Sequence, residues 1–306
     1  AGPLRRGGPV VTDPSTTDAL RVERPGVRTL LEDLGRPGYA RLGVTASGAW
    51  DRGALTLANR LVGNPEDAAG LEVLLGGLTL RALADVTVAV TGADVPVTVD
   101  GYAAATFGVV PVPAGAVLDL GRPRLGLRAY VAVRGGLTGR RVFGSLSADP
   151  TTGLGPAPLA SGDVLAIGPD PGTPTEAPDT APTRAPTGGE IVLRAVPGPR
   201  DDWFAPDALA LLAGTAWEVS PHTDRVGTRL LGPSLPRART GELSSEGLVR
   251  GAVQVPASGL PLVFGPDHPT TGGYPVIACV TGTDADALAQ AAPGTVVRFE
   301  LLRRPW

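Results

Sequence analysis

Short apolar runs, each broken within a few residues by Gly or Pro, dominate the chain. Residues 86–91 form a β-rich run that Gly92 ends, and 95–99 alternates around Pro96, which predicts an edge strand. Runs at 116–120, 129–133 and 164–167 follow. Beyond residue 190 the pattern returns at 191–196, 248–255, 260–264, 276–280 and 296–302. Helical periodicity is rarer. Over 51–61 it places Leu55, Ala58, Leu61 and Val62 on one face, with Asp51 as cap and Gly63, Asn64 and Pro65 as stop. Short helices are also expected at 206–212, with Asp201 and Asp202 ahead, and at 284–290, closed by Pro293 and Gly294. Many short strands with Gly/Pro turns predict a mainly β protein of barrels or sandwiches with a few short helices.

Two stretches lack any period. Residues 1–18 read as a flexible tail, and 169–189 as a Pro/Thr-rich linker. They divide the chain into an N-terminal β-rich lobe, 19–168, and a C-terminal lobe, 190–306. The lobes open alike (Leu20 to Gly26, Leu193 to Gly198) and close alike (Ser161 to Leu165, Pro293 to Val297), which suits two related barrels or chance.

Composition narrows the chemistry. The 306 residues carry net charge −3 and are 42% apolar, enough for sizeable cores, while aromatics at 4% leave the core to Val, Leu, Ile and Ala. All 27 basic residues are Arg. Without Lys there is no Walker-type phosphate loop, no Schiff base, and no biotin or lipoyl group attached to this chain. With no Met, Ala1 is read as the product of processing or trimming. The single Cys279 permits no intrachain disulfide, which favours a reducing, cytoplasmic setting, and its apolar run makes it a core residue before a nucleophile. Two His, without zinc spacing, predict no metal site. No apolar run approaches a membrane span, and the near-neutral charge argues against nucleic acid.

Polar residues gather in five segments. Arg36, before Pro37 and Gly38, sits in a fixed turn, as an anion ligand or as the ion-pair partner of Glu32 or Asp33. Ser47 and Gly48 precede the first helix, as capping residues or as part of an anion site. Glu72 lies inside an apolar strand, so it either faces solvent or pairs with an Arg at a site. Asp224, Arg225 and Arg229 offer one carboxylate and two bidentate forks, or a salt-bridged turn. The richest segment runs from Ser244, Ser245, Glu246 and Gly247 through Gln254 to Asp267, His268, Thr270, Thr271, Gly272, Gly273 and Tyr274. It supplies hydroxyls and unhindered amides between two strands.

In their order along the chain, these segments resemble one family. They include Leu34 to Tyr39, Gly43 to Asp51, Ala58 to Asn64, Glu72 with Gly76 and Gly77, Thr91 to Ala93 and Tyr130 to Gly136. Gly144–Ser145, Asp224 to Gly227 with Arg229–Leu230, Ser245 to Gly247, Gln254 to Pro256 and Thr270 to Pro275 complete the series. The chain is similar to the allophanate hydrolase subunit 2 / KipA family, usually named for the C component of 5-oxoprolinase (PxpC), over roughly residues 20–302. Departures include Thr45–Ala46 where two prolines are usual, and Trp50, Thr223, Thr228 and Pro269. The resemblance implies cyclophilin-like β-barrel character. It also implies a KipI-like B component and an A component of 5-oxoprolinase as partners. With them comes ATP-dependent cleavage of the small molecule 5-oxoproline to glutamate, with ATP and Mg used in the complex. Related domains form the carboxyltransferase part of biotin-dependent urea carboxylase, and other relatives are described as antagonists of a histidine-kinase inhibitor. Under the first reading Asp224, Arg225, Glu246 and Asp267 are the expected catalytic residues, with Asp224, Glu246 or Asp267 able to bind Mg or orient water. Arg36, Ser47, Arg229, Gln254, Thr270, Thr271, Gly272, Gly273 and Tyr274 are the expected substrate or phosphate ligands.

Overall fold

The computed structural model describes residues 16–175, 186, 188–239, 241 and 243–303. Up to residue 167 the strands are β1 (Thr17–Pro25), β2 (Arg28–Glu32), β3 (Gly70–Leu74), β4 (Leu78–Ala82), β5 (Val86–Asp94), β6 (Val97–Val99), β7 (Tyr102–Ala104), β8 (Val109–Val112), β9 (Val117–Leu120), β10 (Leu125–Val133) and β11 (Val164–Ile167). They make a six-stranded sheet, β11-β1-β4-β9-β6-β7, and a five-stranded sheet, β2-β3-β10-β5-β8. Leu20, Val22, Leu80 and Leu118 of the first sheet share one core with Leu71, Val88 and Val131 of the second.

Helix α1 (Arg52–Leu61) covers the outer face of the second sheet. Its Leu57, Ala58 and Leu61 pack on Ala89 and Ala132, and Ala54 and Leu55 on Tyr130. Strands β5 and β10 are therefore buried on both faces. That is why they read as unbroken apolar runs with small residues under the helix.

The second half holds β12 (Ile191–Pro197), β13 (Trp217–Val219), β14 (Gly227–Leu231), β15 (Glu246–Gly247), β16 (Ala252–Gln254), β17 (Leu262–Phe264), β18 (Thr271–Gly272), β19 (Val276–Val280) and β20 (Val296–Leu301), with helices α2 (Ala208–Gly214) and α3 (Gly282–Ala287). Seven of these strands close a barrel, β12-β19-β16-β17-β14-β13-β20, and β15 pairs with β18 outside it. Leu193, Trp217, Val253, Val263, Ile277, Val297 and Phe299 fill the interior. The Trp217 indole N–H is satisfied by the Leu212 carbonyl at 2.9 Å, which ties α2 to the barrel.

The structure corrects several expectations. Pro96 falls between β5 and β6, and β6 lies between β9 and β7, so it is not an edge strand. Thr17 and Asp18, read as tail, belong to β1 and pair with Ile167 and Ala166. Residues 1–15 of that tail, and 176–185 and 187 of the expected linker, lie outside the described residues. Within the linker, Asp170 is held by Arg134 at 2.6 Å. The barrel docks on the sandwich through the 3-10 turn Leu288–Gln290: the Gln290 side-chain oxygen accepts from Leu127 and Arg128 N–H, and its amide donates to the Arg128 carbonyl.

Candidate functional site

The seam between sandwich and barrel holds buried charges that both halves supply. Strand β3 puts Glu72 opposite Leu30 of β2 and Tyr130 of β10, on the face under α1, where it is 2% exposed. Glu72 Oε2 accepts the Trp50 N–H at 2.9 Å and the Tyr130 hydroxyl at 2.8 Å. Its Oε1 accepts from Arg225 Nη1 at 2.6 Å and lies 3.4 Å from Arg128 Nε. Burial opposes its charge, but Arg225, Arg128 and the two hydrogen bonds outweigh that and hold its carboxyl down at about 2. The Tyr130 hydroxyl also accepts the Asp51 N–H at 2.8 Å. Burial, then the Glu72 and Asp51 charges, push its pKa well up, so it stays a donor to Glu72.

Arg225 comes from the barrel, in a tight turn between Asp224 and Gly227, and is 3% exposed. It grips Asp267 with two nitrogens, Nε to Oδ2 at 2.7 Å and Nη2 to Oδ1 at 3.1 Å. It crosses the seam to Glu72 and to the Gly48 carbonyl at 2.8 Å. Asp267 Oδ1 in turn accepts the Ser47 hydroxyl at 2.7 Å. Ser47 has φ +51 and Gly48 φ +97. A Cβ on Gly48 would meet the Leu34 backbone at 2.8 Å, so the chain turns through the seam here only with glycine.

Glu32 completes the group, with its Oε1 3.2 Å from Arg225 Nη2. It is fully buried and neither of its oxygens accepts a hydrogen bond. Burial drives its pKa well up, against the pull of Arg225. Glu72 and Asp267, close by, add to the burial in opposing a charge on Glu32, while Arg225 opposes them.

The other expected residues are placed elsewhere. Asp224 is exposed and its Oδ1 accepts the Val226 and Gly227 N–H groups at 2.9 and 3.3 Å, which makes it a turn residue. Arg229 is exposed on β14. Glu246 pairs with Arg200. Thr271 and Gly272 pair with Gly247 and Glu246, and Gln254 Nε2 donates to the Tyr274 carbonyl at 3.0 Å. Together with Thr270, whose carbonyl accepts from Leu248, and Gly273, these residues form a second polar patch on the barrel. Arg36 forms neither ion pair expected of it. It is 1% exposed and donates Nη2 to the Ser147 carbonyl, and its Nε and Nη1 have no hydrogen-bond partner. Asp33 is occupied by the Ser145 and Ser147 hydroxyls, each at 2.6 Å. Cys279 is half-buried in β19 with its pKa raised by burial, as a resting thiol.

Asp224, Glu246 and Asp267, expected as Mg ligands, are each engaged in a different place. Among the described residues no three His, Cys, Asp or Glu side chains gather to hold a metal ion. These three carboxylates therefore do not come together as a magnesium site. The sequence singles out Glu72, names Glu32 only as a partner for Arg36 and Tyr130 only within a family motif, and gives no signal for Arg128. Glu32 also ends the apolar strand β2 as Glu72 interrupts β3.

The carboxyltransferase domain model, subdomains A and B, matches residues 42–301. The chain belongs to this carboxyltransferase domain family. It is 39% identical to the C subunit of 5-oxoprolinase from Escherichia coli over 92% of this chain and 90% of the relative, and 34% identical to the Haemophilus influenzae protein of the same name over 89% and 88%. A putative urea carboxylase of Emericella nidulans is 32% identical over 92% of this chain, which spans 24% of that longer protein. Among solved structures, TTHA0988 superposes with TM-score 0.84 at 37% identity, covering 97% of this chain and 57% of its own. The K. lactis urea amidolyase gives TM-score 0.85 at 28% identity over 95% of this chain and 19% of its own. The carboxyltransferase domain thus occurs as a nearly whole polypeptide in some relatives and as one part of a longer chain in others. In the described residues no helix is long and apolar enough to cross a membrane.

Proposed function

We propose that this chain is the C component of an ATP-dependent 5-oxoprolinase, which cleaves 5-oxoproline to glutamate and works only with its A component and a KipI-like B component. The observation that carries this reading is the 39% identity to a 5-oxoprolinase C subunit over nearly the full length of both chains. A lactam is resonance-stabilised and little strained, so its hydrolysis needs coupling to ATP, which can make the amide oxygen a leaving group. Asp224, Glu246 and Asp267 stand apart from one another, so Mg and the nucleotide's metal contacts fall to the partner chains in this reading.

Within this chain, Arg225 is a positioning residue. Its nitrogens are taken up by Asp267, Glu72 and Gly48, so it holds barrel and sandwich in register and leaves substrate contact to others. The Ser47–Gly48 turn is fixed by Asp267 and Arg225 and leads through Ala49 to Asp51 into α1. The test is a reconstituted complex assayed for 5-oxoproline-dependent ADP formation with and without this chain. Turnover that requires the chain, and falls at least tenfold in Arg225→Gln with little change in KM, supports the reading. Equal turnover without the chain overturns it.

A second reading follows from the urea carboxylase and urea amidolyase relatives. There the chain is the carboxyltransferase part of a biotin-dependent carboxylase, and because it has no Lys the biotin is carried on another chain. Activity that depends on bicarbonate and a biotin carrier, in place of 5-oxoproline, favours it.

A further inference from the structure

Three arginines are buried among the described residues, and two of them face carboxylates. Arg225 has Asp267 and Glu72, and Arg128 lies 3.4 Å from Glu72. Arg36, at 1% exposure, is different. It pairs with no carboxylate of the described residues, and its Nη2 donates to the neutral Ser147 carbonyl. Its Nε and Nη1 are buried without a partner, and these two nitrogens hold most of the guanidinium's N–H groups. Water can satisfy such groups as donors, but it does not answer the charge, and a buried cation without an anion is costly.

Two buried carboxylates stand in the segments that enclose Arg36, and both are spent on bracing those segments. Asp33 accepts the Gly35 and Leu146 N–H groups, each at 2.8 Å, besides the Ser145 and Ser147 hydroxyls. Asp149 accepts the Thr45 hydroxyl at 2.8 Å, the Thr152 hydroxyl at 2.6 Å, and the Thr151 and Thr152 N–H groups at 3.0 and 3.1 Å. The Arg36 N–H is itself tied to the Ala46 carbonyl at 2.7 Å. The turns around the guanidinium are thus fixed without using its charge. Gly155 closes the wall. Its φ is +81, and a Cβ there would run into the Ser147 carbonyl and lie 3.2 Å from Arg36 Nη2. The same glycine lines a cavity of about 640 Å³ with Leu31, Leu146, Leu159 and Leu165. Arg36 therefore lies against a wall residue of that cavity that has no side chain.

We infer that Arg36 anchors a binding site for a small monocarboxylate beside this cavity. One guanidinium and one carboxylate cancel, whereas a phosphate dianion would leave a buried negative charge in place of the positive one. A carboxylate also matches the planar donor fork. The inference rests on Arg36 and its surroundings and stands apart from the oxoprolinase reading, which only motivates 5-oxoproline, itself a monocarboxylate, as one probe.

The experiment uses the full chain labelled with 15N-arginine, without partner chains, at about pH 8 and at constant ionic strength set with sodium chloride. The Nε–H signal of Arg36, assigned through its own backbone, is followed as acetate, 5-oxoproline or inorganic phosphate is added. Acetate or 5-oxoproline is expected to move it saturably, and the tighter binder indicates the size of the occupant. The Arg225 signal, whose Nε–H is already held by Asp267, stays in place. Phosphate, mostly a dianion at this pH, binds about tenfold more weakly. The Tm of the native chain rises with carboxylate concentration, and that of Arg36→Gln does not. If Arg36→Gln fails to fold, the signal of the native chain decides alone. An Arg36 signal that neither carboxylate moves saturably, or that phosphate moves at lower concentration than both, overturns the proposal. So does an Arg36→Gln chain whose Tm follows carboxylate as the native one does. No partner and no turnover enter the measurement, so its outcome is separate from that of the reconstituted oxoprolinase assay.

Discussion

Glu72 and Arg225 are 153 residues apart in sequence and 2.6 Å apart in space. At the residue scale, each is explained by the other. A carboxylate inside an apolar strand is costly alone and tolerable when paired and hydrogen-bonded. Breaking the pair is therefore severe. Arg225→Met leaves Glu72 and Asp267 buried without their main partner and is expected to lose about 3–5 kcal/mol in chemical denaturation at pH 7. The pH dependence separates the two glutamates. Glu72 is held at about 2, below its unfolded value, so its stabilisation is full above about pH 4.3 and is lost as pH falls toward 2. Glu72→Gln should accordingly destabilise much more at pH 7 than at pH 3. Glu32 has the opposite sign, because its folded pKa lies above the unfolded one. Its contribution is present at low pH and falls as pH rises through about 4.3 toward the folded value. Glu32→Gln, measured against the native chain by urea unfolding, should therefore gain relative stability between pH 4 and 8. A flat difference across that range contradicts a Glu32 carboxyl held above its ordinary value.

At the scale of elements, glycines set how closely the strands and turns meet. Gly76, in the turn between β3 and β4, has φ +66, and a Cβ there would lie 1.9 Å from the Gly121 carbonyl oxygen. Gly76→Ala combines left-handed strain with a backbone clash and is expected to cost about 2 kcal/mol or more, read as a fall in Tm. Helix α1 was legible in the sequence because cap, apolar face and stop all agree, and its observed start at Arg52 differs by one residue from the expectation. The runs 248–255 and 260–264 were read too long. The strands are Ala252–Gln254 and Leu262–Phe264, because an apolar run does not show where barrel pairing stops. The third helix splits into α3 and a 3-10 turn, since Gln290 is drawn to the backbone of β10.

At the scale of the molecule, sandwich and barrel share the Arg225 network and the Gln290 contacts. Calorimetry of the native chain should therefore show one unfolding transition. Arg225→Met should separate it into two, because each half keeps its own core while the seam loses its polar link. A single transition in the variant, merely shifted, would mean that the Gln290 contacts suffice to couple the halves.

Alternation, turn residues and the capped 51–61 segment determined by themselves that the chain is mainly β with few helices, because these patterns depend on near neighbours in sequence. The ordered motifs also carried the family. The absence of Lys is why the sequence predicts no biotin attached to this chain, since that bond requires an amine. Only the tertiary structure decided which polar residues meet. Arg225, Asp267 and Ser47 converge on Glu72, while Asp224 and Arg229, two of the segment's three charged residues, face solvent. The reason is physical. Turning a residue inward or outward within a tight turn costs little locally, and the deciding energy is the pairing of buried charges brought from strands far apart in the chain.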